Sequence, residues 1–124
     1  MPLTNAYRDY VAAFTTGSSQ TAFTNATAHI GVGSGTTAFA ATQTDLVGPS
    51  KARKGMDSGY PTRSGGVMTF RATFGTGDAN FAWNEWGVFN AASGGTMMTR
   101  LVQNNGTKAN TETKQMTVTV TLSV

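Results

Sequence analysis

The C-terminal segment 116–124 alternates strictly between apolar and hydroxyl side chains. A period of two places successive side chains on opposite faces of a β-strand. One face, from Met116 to Val124, is then wholly apolar and must be buried, whereas the other, from Thr117 to Ser123, carries hydroxyl groups and no charge. An exposed edge strand normally carries charges or proline that prevent pairing with another chain. The pattern therefore predicts that this strand is either central in its sheet or covered by a neighbouring subunit.

The rest of the chain also has a β pattern. Short runs rich in β-branched and aromatic residues are separated by turns rich in Gly and Asn, which is typical of antiparallel pairing. The alternation slips near Asn84–Glu85, which predicts a bulge or bend. The 124 residues fit one domain, 1–124, with a β-domain over 26–124. We predict a mainly β fold, an antiparallel β-sandwich or small barrel, whose further strands are Ala28–Val32, Val67–Phe74, Asn80–Asn90 and Thr96–Val102.

The N-terminal segment differs, because its apolar residues recur at helical spacing. Tyr7, Tyr10 and Phe14 share one stripe with Leu3 and Val11, and Thr4 or Asn5 could cap the start. This predicts a short helical arm over 1–17. An isolated helix of this length is marginal, so the stripe needs a partner surface. Either it packs on its own domain, or Tyr7, Tyr10 and Phe14 dock onto a neighbouring subunit.

Segment 48–66 contains two prolines, several glycines and a basic cluster. Its composition predicts a long loop or loose hairpin, and long ordered loops are often interfacial. Residues 36–47 before it suggest one helical turn around Thr44–Val47. The basic side chains either belong to a solvated loop or contact an acidic protein surface. Those side chains are Lys51, Arg53, Lys54 and Arg63.

Nothing in the sequence points to catalysis, a cofactor or a metal site. There is no cysteine, and the only histidine, His29, has no second ligand of its kind. The run Gly31–Gly35 lacks the dinucleotide and phosphate-loop patterns. The net charge is only +3, and stacking aromatics are scarce near the basic cluster, so nucleic acid is not expected as a partner. No apolar stretch approaches the roughly 20 residues that span a bilayer, so no membrane partner is expected.

One carboxylate stands out from the others. Glu85 lies between Trp83 and Trp86, in the most aromatic part of the chain. Burying a carboxylate alone is costly, so it needs a partner or an edge position. Arg71 and Arg100 lie in predicted neighbouring strands. We predict a structural ion pair of Glu85 with one of them.

Three segments in a fixed order resemble small structural proteins of tailed bacteriophages. They are HIGVGSGTTAF from His29, FAWNEWGVFN from Phe81 and GGTMMTR from Gly94, followed by the Thr-alternating final strand. Proteins with this pattern occur as capsid decoration proteins, and similar modules occur in tail fibres and baseplate parts. The resemblance, which covers roughly residues 28–124, implies a non-enzymatic virion protein.

The resemblance also implies partners, and on that reading the N-terminal helix and the 48–66 loop are the parts that grip a capsid shell. A capsid decoration or cement protein binds the major capsid protein and commonly forms trimers on the shell, and the short chain without a repetitive shaft favours that location. It would be made in the host cytoplasm and reside on the virion surface. The alternative is a tail-fibre or baseplate module that binds a host-surface glycan, which exposed Trp83, Trp86 or Tyr60 would favour.

Overall fold

The computed structural model describes residues 2–123 of the chain. It contains one helix, α1, and seven strands, β1–β7. Their bounds are α1 Asn5–Thr15, β1 His29–Gly33, β2 Lys51–Gly55, β3 Thr62–Ser64, β4 Val67–Phe74, β5 Glu85–Phe89, β6 Met97–Val102 and β7 Lys114–Thr121.

The predicted mainly β fold is confirmed. Two antiparallel sheets form, one with the order β2-β1-β5-β6 and one with the order β3-β4-β7, and they do not close into a barrel. The main core receives side chains from both sheets, such as Ile30 and Val88 from the first and Phe70 and Val118 from the second. The architecture is therefore a sandwich with one apolar layer between its sheets.

Strand β4 has the predicted bounds and faces. Phe70, Ala72 and Phe74 are buried, and the alternate residues are more exposed. Strand β7 begins two residues before the predicted start and keeps the predicted alternation, since Met116, Val118 and Val120 are buried between exposed threonines. The predicted burial of its whole apolar face is wrong at Leu122, which is 38% exposed beyond the strand's end. Val124 lies outside the described residues.

The sequence of β7 left two alternatives, a central strand or a strand covered by a neighbouring subunit, and the structure excludes the first. The strand pairs with β4 over its full length and has no neighbour on its other side among residues 2–123. It is therefore an edge strand and not a central one. Its pattern resembles that of a central strand because burial of one face demands the same alternation at either place.

Helix α1 begins where the capping rule places it. The Thr4 hydroxyl accepts a hydrogen bond from the Tyr7 N–H at 3.1 Å, which satisfies one free amide of the first turn. Just before the helix, Leu3 forms an isolated bridge with Thr99, and the Thr4 N–H donates to the Met98 carbonyl at 3.0 Å. The N-terminal segment thus covers the outer edge of β6.

The predicted long loop 48–66 is wrong in two places. Residues 51–55 form β2, the edge of the first sheet, and residues 62–64 form β3, the edge of the second. The two strands lie in different sheets, so they do not form a hairpin with each other. The lysines and arginines of this segment do not distinguish a loop from a strand, because charged residues are also common on exposed edge strands.

Smaller differences follow from contacts that a local pattern does not contain. The segment around Thr44–Val47 forms no helical turn. Strand β5 is shorter than predicted and begins at Glu85, and the register irregularity lies between Val88 and Phe89 rather than near Asn84. Strands β1 and β6 are each displaced by one residue at their start.

Candidate functional site

The most connected polar site in the fold is a buried ion pair on the outer face of the first sheet. The Arg100 Nε donates to Glu85 Oε1 at 2.8 Å, and both side chains are 0% exposed. Glu85 Oε1 also accepts the Val47 N–H at 2.9 Å, and Oε2 accepts the N–H groups of Gly35 and Gly48, each at 2.7 Å. The carboxylate is fully satisfied by one cation and three backbone amides.

Arg100 extends the same network. Its Nη1 donates to Gln43 Oε1 at 3.0 Å, and its Nη2 donates to the Thr37 carbonyl at 2.9 Å. Leu46 packs nearby against Phe89 and Met97 in a second apolar cluster. Segment 34–50, which has no regular structure, is therefore fastened across the outer face of the sheet by two side chains.

Glycines allow segment 34–50 to lie this close to Glu85 and the sheet. A Cβ on Gly33 would lie 2.7 Å from Glu85 Oε2, and a Cβ on Gly35 would lie 2.6 Å from the Gly48 nitrogen. A Cβ on Gly31 would lie 2.7 Å from the Phe89 ring. The three sequence segments that begin at His29, Phe81 and Gly94 thus meet at one buried site, because they supply these glycines, Glu85 and Arg100.

The protonation of Glu85 follows from its surroundings. Burial alone raises the pKa of this carboxyl, but the Val47 N–H, the Arg100 guanidinium and the N–H groups of Gly48 and Gly35 together hold its pKa below the usual value. The group is ionised at neutral pH and has no free lone pair directed at solvent. Its arrangement suits a structural anchor.

Of the two arginines proposed for Glu85, only Arg100 pairs with it. Arg71 pairs with Asp57, with Nε 3.0 Å from Oδ2, and its guanidinium lies 4.3 Å from the centre of the Tyr60 ring. Thr73 donates to the same carboxylate oxygen at 2.9 Å. The pairing of Arg71 with Glu85 is wrong because β4 belongs to the other sheet.

The basic cluster is largely neutralised within the chain. Lys51 and Arg53 both pair with Asp45, at 2.9 and 3.3 Å. Lys54 pairs with Asp78 at 3.0 Å. Arg53 also stacks on the Phe89 ring, 3.5 Å from its centre, and donates to the carbonyls of Ala91 and Gly94. These side chains brace the sheet edge, so the cluster presents little unpaired positive charge to a partner.

Arg63 differs from the rest of the cluster. It lies on the exposed strand β3, and its Nη1 donates only to the Gly65 carbonyl, at 3.1 Å, among the residues described. No acidic residue within 2–123 forms a salt bridge with it. It is the member of the basic cluster that remains available to an acidic partner.

The apolar stripe of α1 serves two surfaces. Tyr7 is buried, stacks on Tyr10 at a centroid distance of 5.5 Å and meets the Phe23 ring edge-on at 5.8 Å. Toward the helix end the stripe emerges, since Val11 is 37% and Phe14 is 56% exposed. The first part packs on its own domain, and the second part forms what we call the helix ridge: Tyr10, Val11 and Phe14.

His29, which was considered for metal binding, and Trp83, which was considered for glycan binding, both make contacts within the fold. His29 is half-buried, and its Nδ1 lies 2.8 Å from the Thr27 carbonyl. No group of three metal-ligating side chains occurs within 2–123. Trp83 is 1% exposed, and its indole N–H donates to the Ala79 carbonyl at 2.9 Å.

A polar cleft beside the edge of β7 was not foreseen. It has a volume of about 320 Å³, and half-buried Trp86 lies in its wall. The other side chains are mostly amides and hydroxyls: Gln103, Asn105, Gln115, Met116 and Thr117. Its residues come from three separated segments, so no local pattern could have indicated it.

The anchoring role of segment 34–50 was also missed, although the sequence holds a signal for it. Gly31, Gly33 and Gly35 alternate, so they lie on one face of an extended chain, and such a face admits close approach by a neighbouring group.

No helix within the described residues is long and apolar enough to cross a membrane. Comparisons of the chain with protein-family models, with curated proteins and with solved structures found no match.

Proposed function

We propose that the chain is a non-enzymatic structural protein of a bacteriophage virion, a capsid decoration or cement protein that binds the major capsid protein. It acts on the head shell as an oligomer of itself, and the resemblance implies three copies. The proposal rests on that resemblance and on one structural observation, the helix ridge. An aromatic side chain that is more than half exposed near the end of a helix that packs on its own domain is suited to anchor a protein contact.

The electrostatics favour the ridge over the basic cluster as the shell contact. Lys51, Arg53 and Lys54 already have carboxylate partners, so a capsid surface would gain little by approaching them. Arg63 is available for an acidic group at the rim of a contact. The cementing contact therefore combines an apolar anchor on α1 with at most a minor ionic part.

Binding to shells that lack the protein tests this. The Phe14→Ser variant should bind at least about tenfold more weakly than the wild type, since a buried aromatic anchor contributes about 2 kcal/mol or more. Val67→Ser is the matched control, because Val67 is also an exposed apolar residue, at 38%, but lies on β4. Binding would be measured by co-sedimentation of purified protein with shells. Absence of wild-type binding overturns the capsid proposal, and equal binding of both variants overturns the role of the ridge.

The second candidate is a tail-fibre or baseplate module that binds a host-surface glycan. Trp83 gives it no support because it is buried, and Tyr60 is covered by Arg71. The cleft beside β7 favours it, since an indole edge and several amide side chains are the groups that contact sugars.

This candidate predicts saturable binding of a host-surface oligosaccharide, followed by tryptophan fluorescence. Gln103→Ala should weaken binding about two- to tenfold by removing a polar contact in the cleft. Gln20→Ala, which changes a residue far along the chain from the cleft segments, serves as the control. If no fluorescence change occurs with any oligosaccharide prepared from the host surface, the glycan candidate is excluded.

A further inference from the structure

The two sheets have four edges, and three of them are protected. The edge of β6 is covered by the N-terminal segment through the contacts of Leu3 and Thr4. The edge strand β2 carries three basic side chains that share two carboxylate partners, and Lys51 and Lys54 are 45% and 43% exposed, so the remaining positive charge opposes pairing with a like strand. The edge strand β3 has only three residues, includes Arg63 and directly follows Pro61. Charge, shortness, proline and a covering segment are the usual protections of an exposed edge.

The fourth edge, β7, has none of these protections. It is eight residues long, and it carries no charge and no proline after its first residue, Lys114. No strand within residues 2–123 pairs with its outer side. Long, regular and uncharged edges are the ones that accept another strand.

The register of β7 identifies which backbone groups are free. The Leu122 N–H donates to the Gly66 carbonyl at 2.8 Å, so the even-numbered residues are those that exchange hydrogen bonds with β4. The odd-numbered residues therefore direct their N–H and C=O groups away from β4. These residues are Gln115, Thr117, Thr119 and Thr121, and their side chains are all exposed.

We propose that β7 pairs antiparallel with β7 of a second copy of this chain, about a two-fold axis at Val118. This register places Thr117 opposite Thr119 of the other copy, and Gln115 opposite Thr121. It uses all four outward-facing residues, and each such pair exchanges two backbone hydrogen bonds. The two three-stranded sheets become one six-stranded sheet.

Self-pairing fits the side chains as well as the backbone. A two-fold axis perpendicular to the sheet keeps the apolar faces of both strands on the core side and the hydroxyl faces on the solvent side. Threonine opposite threonine is a favourable cross-strand pair, and no like charges become opposite neighbours. Lys114 comes to lie opposite the exposed Leu122, on the side where Met116 and Trp86 line the cleft.

The interface keeps the self-association of the proposed function, on which it rests, but changes the number of copies. A symmetric β7 contact closes at two copies, in contrast to the three implied by the phage resemblance. It also occupies the cleft beside Gln115 and Thr117, so a dimer of this kind and the glycan candidate exclude each other at that place. Solution measurements on the protein alone test the pairing without any shell, so its failure is separate from failure of capsid binding.

The test uses molar mass and amide exchange on the purified chain. The wild type should have twice the 12.9 kDa mass of one chain at high micromolar concentration. The Thr117→Lys/Thr119→Lys variant places lysines directly opposite each other in the proposed register and should be monomeric. The control Thr62→Lys/Ser64→Lys adds the same charge at the other edge of the sheet and should stay dimeric.

Amide exchange reports the register. In the dimer the amides of Gln115, Thr117, Thr119 and Thr121 should exchange at least about tenfold more slowly than in the lysine variant of β7, while the even-numbered amides keep their protection in both. A monomeric wild type overturns the proposal, as does a trimeric mass or fast exchange of these four amides in the dimer.

Because the chain has no cysteine, a disulfide provides an independent check. An equimolar mixture of Thr117→Cys and Thr119→Cys chains should form a cross-linked dimer on mild oxidation, since Cα atoms of such pairs lie about 5.5 Å apart. Each variant alone should cross-link much less. Preferential cross-linking of either variant with itself would place the axis elsewhere and overturn the register.

Discussion

Replacing Glu85 by glutamine should lower the free energy of unfolding by about 3–5 kcal/mol, because it breaks a fully buried pair and leaves Arg100 charged without its partner. Domains of this size have a total stability of about 5–15 kcal/mol, so the change removes a large part of it. Glutamine has nearly the same shape as glutamate, so the substitution creates almost no cavity that would lower the free energy of unfolding further. The measurement is denaturant unfolding at neutral pH, followed by tryptophan fluorescence.

A surface pair gives the matched control. Asp9→Asn removes one charge from the Arg8–Asp9 pair, whose side chains are both 70% exposed, and should cost at most about 1 kcal/mol. If Glu85→Gln does not yield folded protein, Arg100→Lys keeps the charge but loses the donors to Gln43 and Thr37, and it should still cost more than the control. A Glu85 variant no less stable than Asp9→Asn would contradict the anchoring role.

The pH dependence of the same variant has a defined sign. The pKa of Glu85 is lower in the folded chain than the value near 4.3 of an unperturbed glutamate, so the unfolded state binds the proton more readily. Its contribution to stability is complete above about pH 4.3 and is lost as the pH falls through the folded pKa. The wild type should therefore lose stability more steeply than Glu85→Gln below that pH. Asp78, whose pKa is also lowered, lies outside segment 34–50 and contributes equally to both proteins.

The strands β4 and β7 were predictable because their alternation is a local property that burial of one face imposes. Their places in the sheet were not, since an edge and a central strand with one buried face share the same alternation. Likewise Arg71 and Arg100 were equivalent in the sequence, and only the division into two sheets assigns Arg100 to Glu85. Pairing between strands is a long-range property that no single segment carries.

The three sequence segments that begin at His29, Phe81 and Gly94 have a structural role in this fold. They supply Glu85, Arg100 and the close-approach glycines, which together hold segment 34–50 on the sheet. A pattern of this kind describes how a fold is assembled rather than what its surface binds. The helix ridge and the free edge of β7 lie outside the anchor, and those surfaces would determine where a protein with such a fold attaches.

Gly48→Ala should destabilise the chain by about 3 kcal/mol, because the added Cβ has no space where segment 34–50 meets the sheet. That Cβ would lie 2.8 Å from Glu85 Oε2 and 2.8 Å from the Ser34 nitrogen, and closer still to the Gly35 nitrogen. Backbone nitrogens cannot rotate away as a side chain can, so the segment must move. The hydrogen bonds that its backbone N–H groups donate to Glu85 then lengthen.

Gly77→Ala is the control, since a Cβ there meets nothing within 4 Å, and it should change stability by at most about 0.5 kcal/mol. Limited proteolysis separates a local from a global effect. In Gly48→Ala, cleavage within 34–50 should precede cleavage of the strands, because the segment has lost its fastening while the core of β4 and β7 is untouched. Equal stability and equal cleavage of the two variants would mean that the segment does not depend on close approach to Glu85. The outcome therefore decides whether Glu85 acts by holding this segment or only by neutralising Arg100.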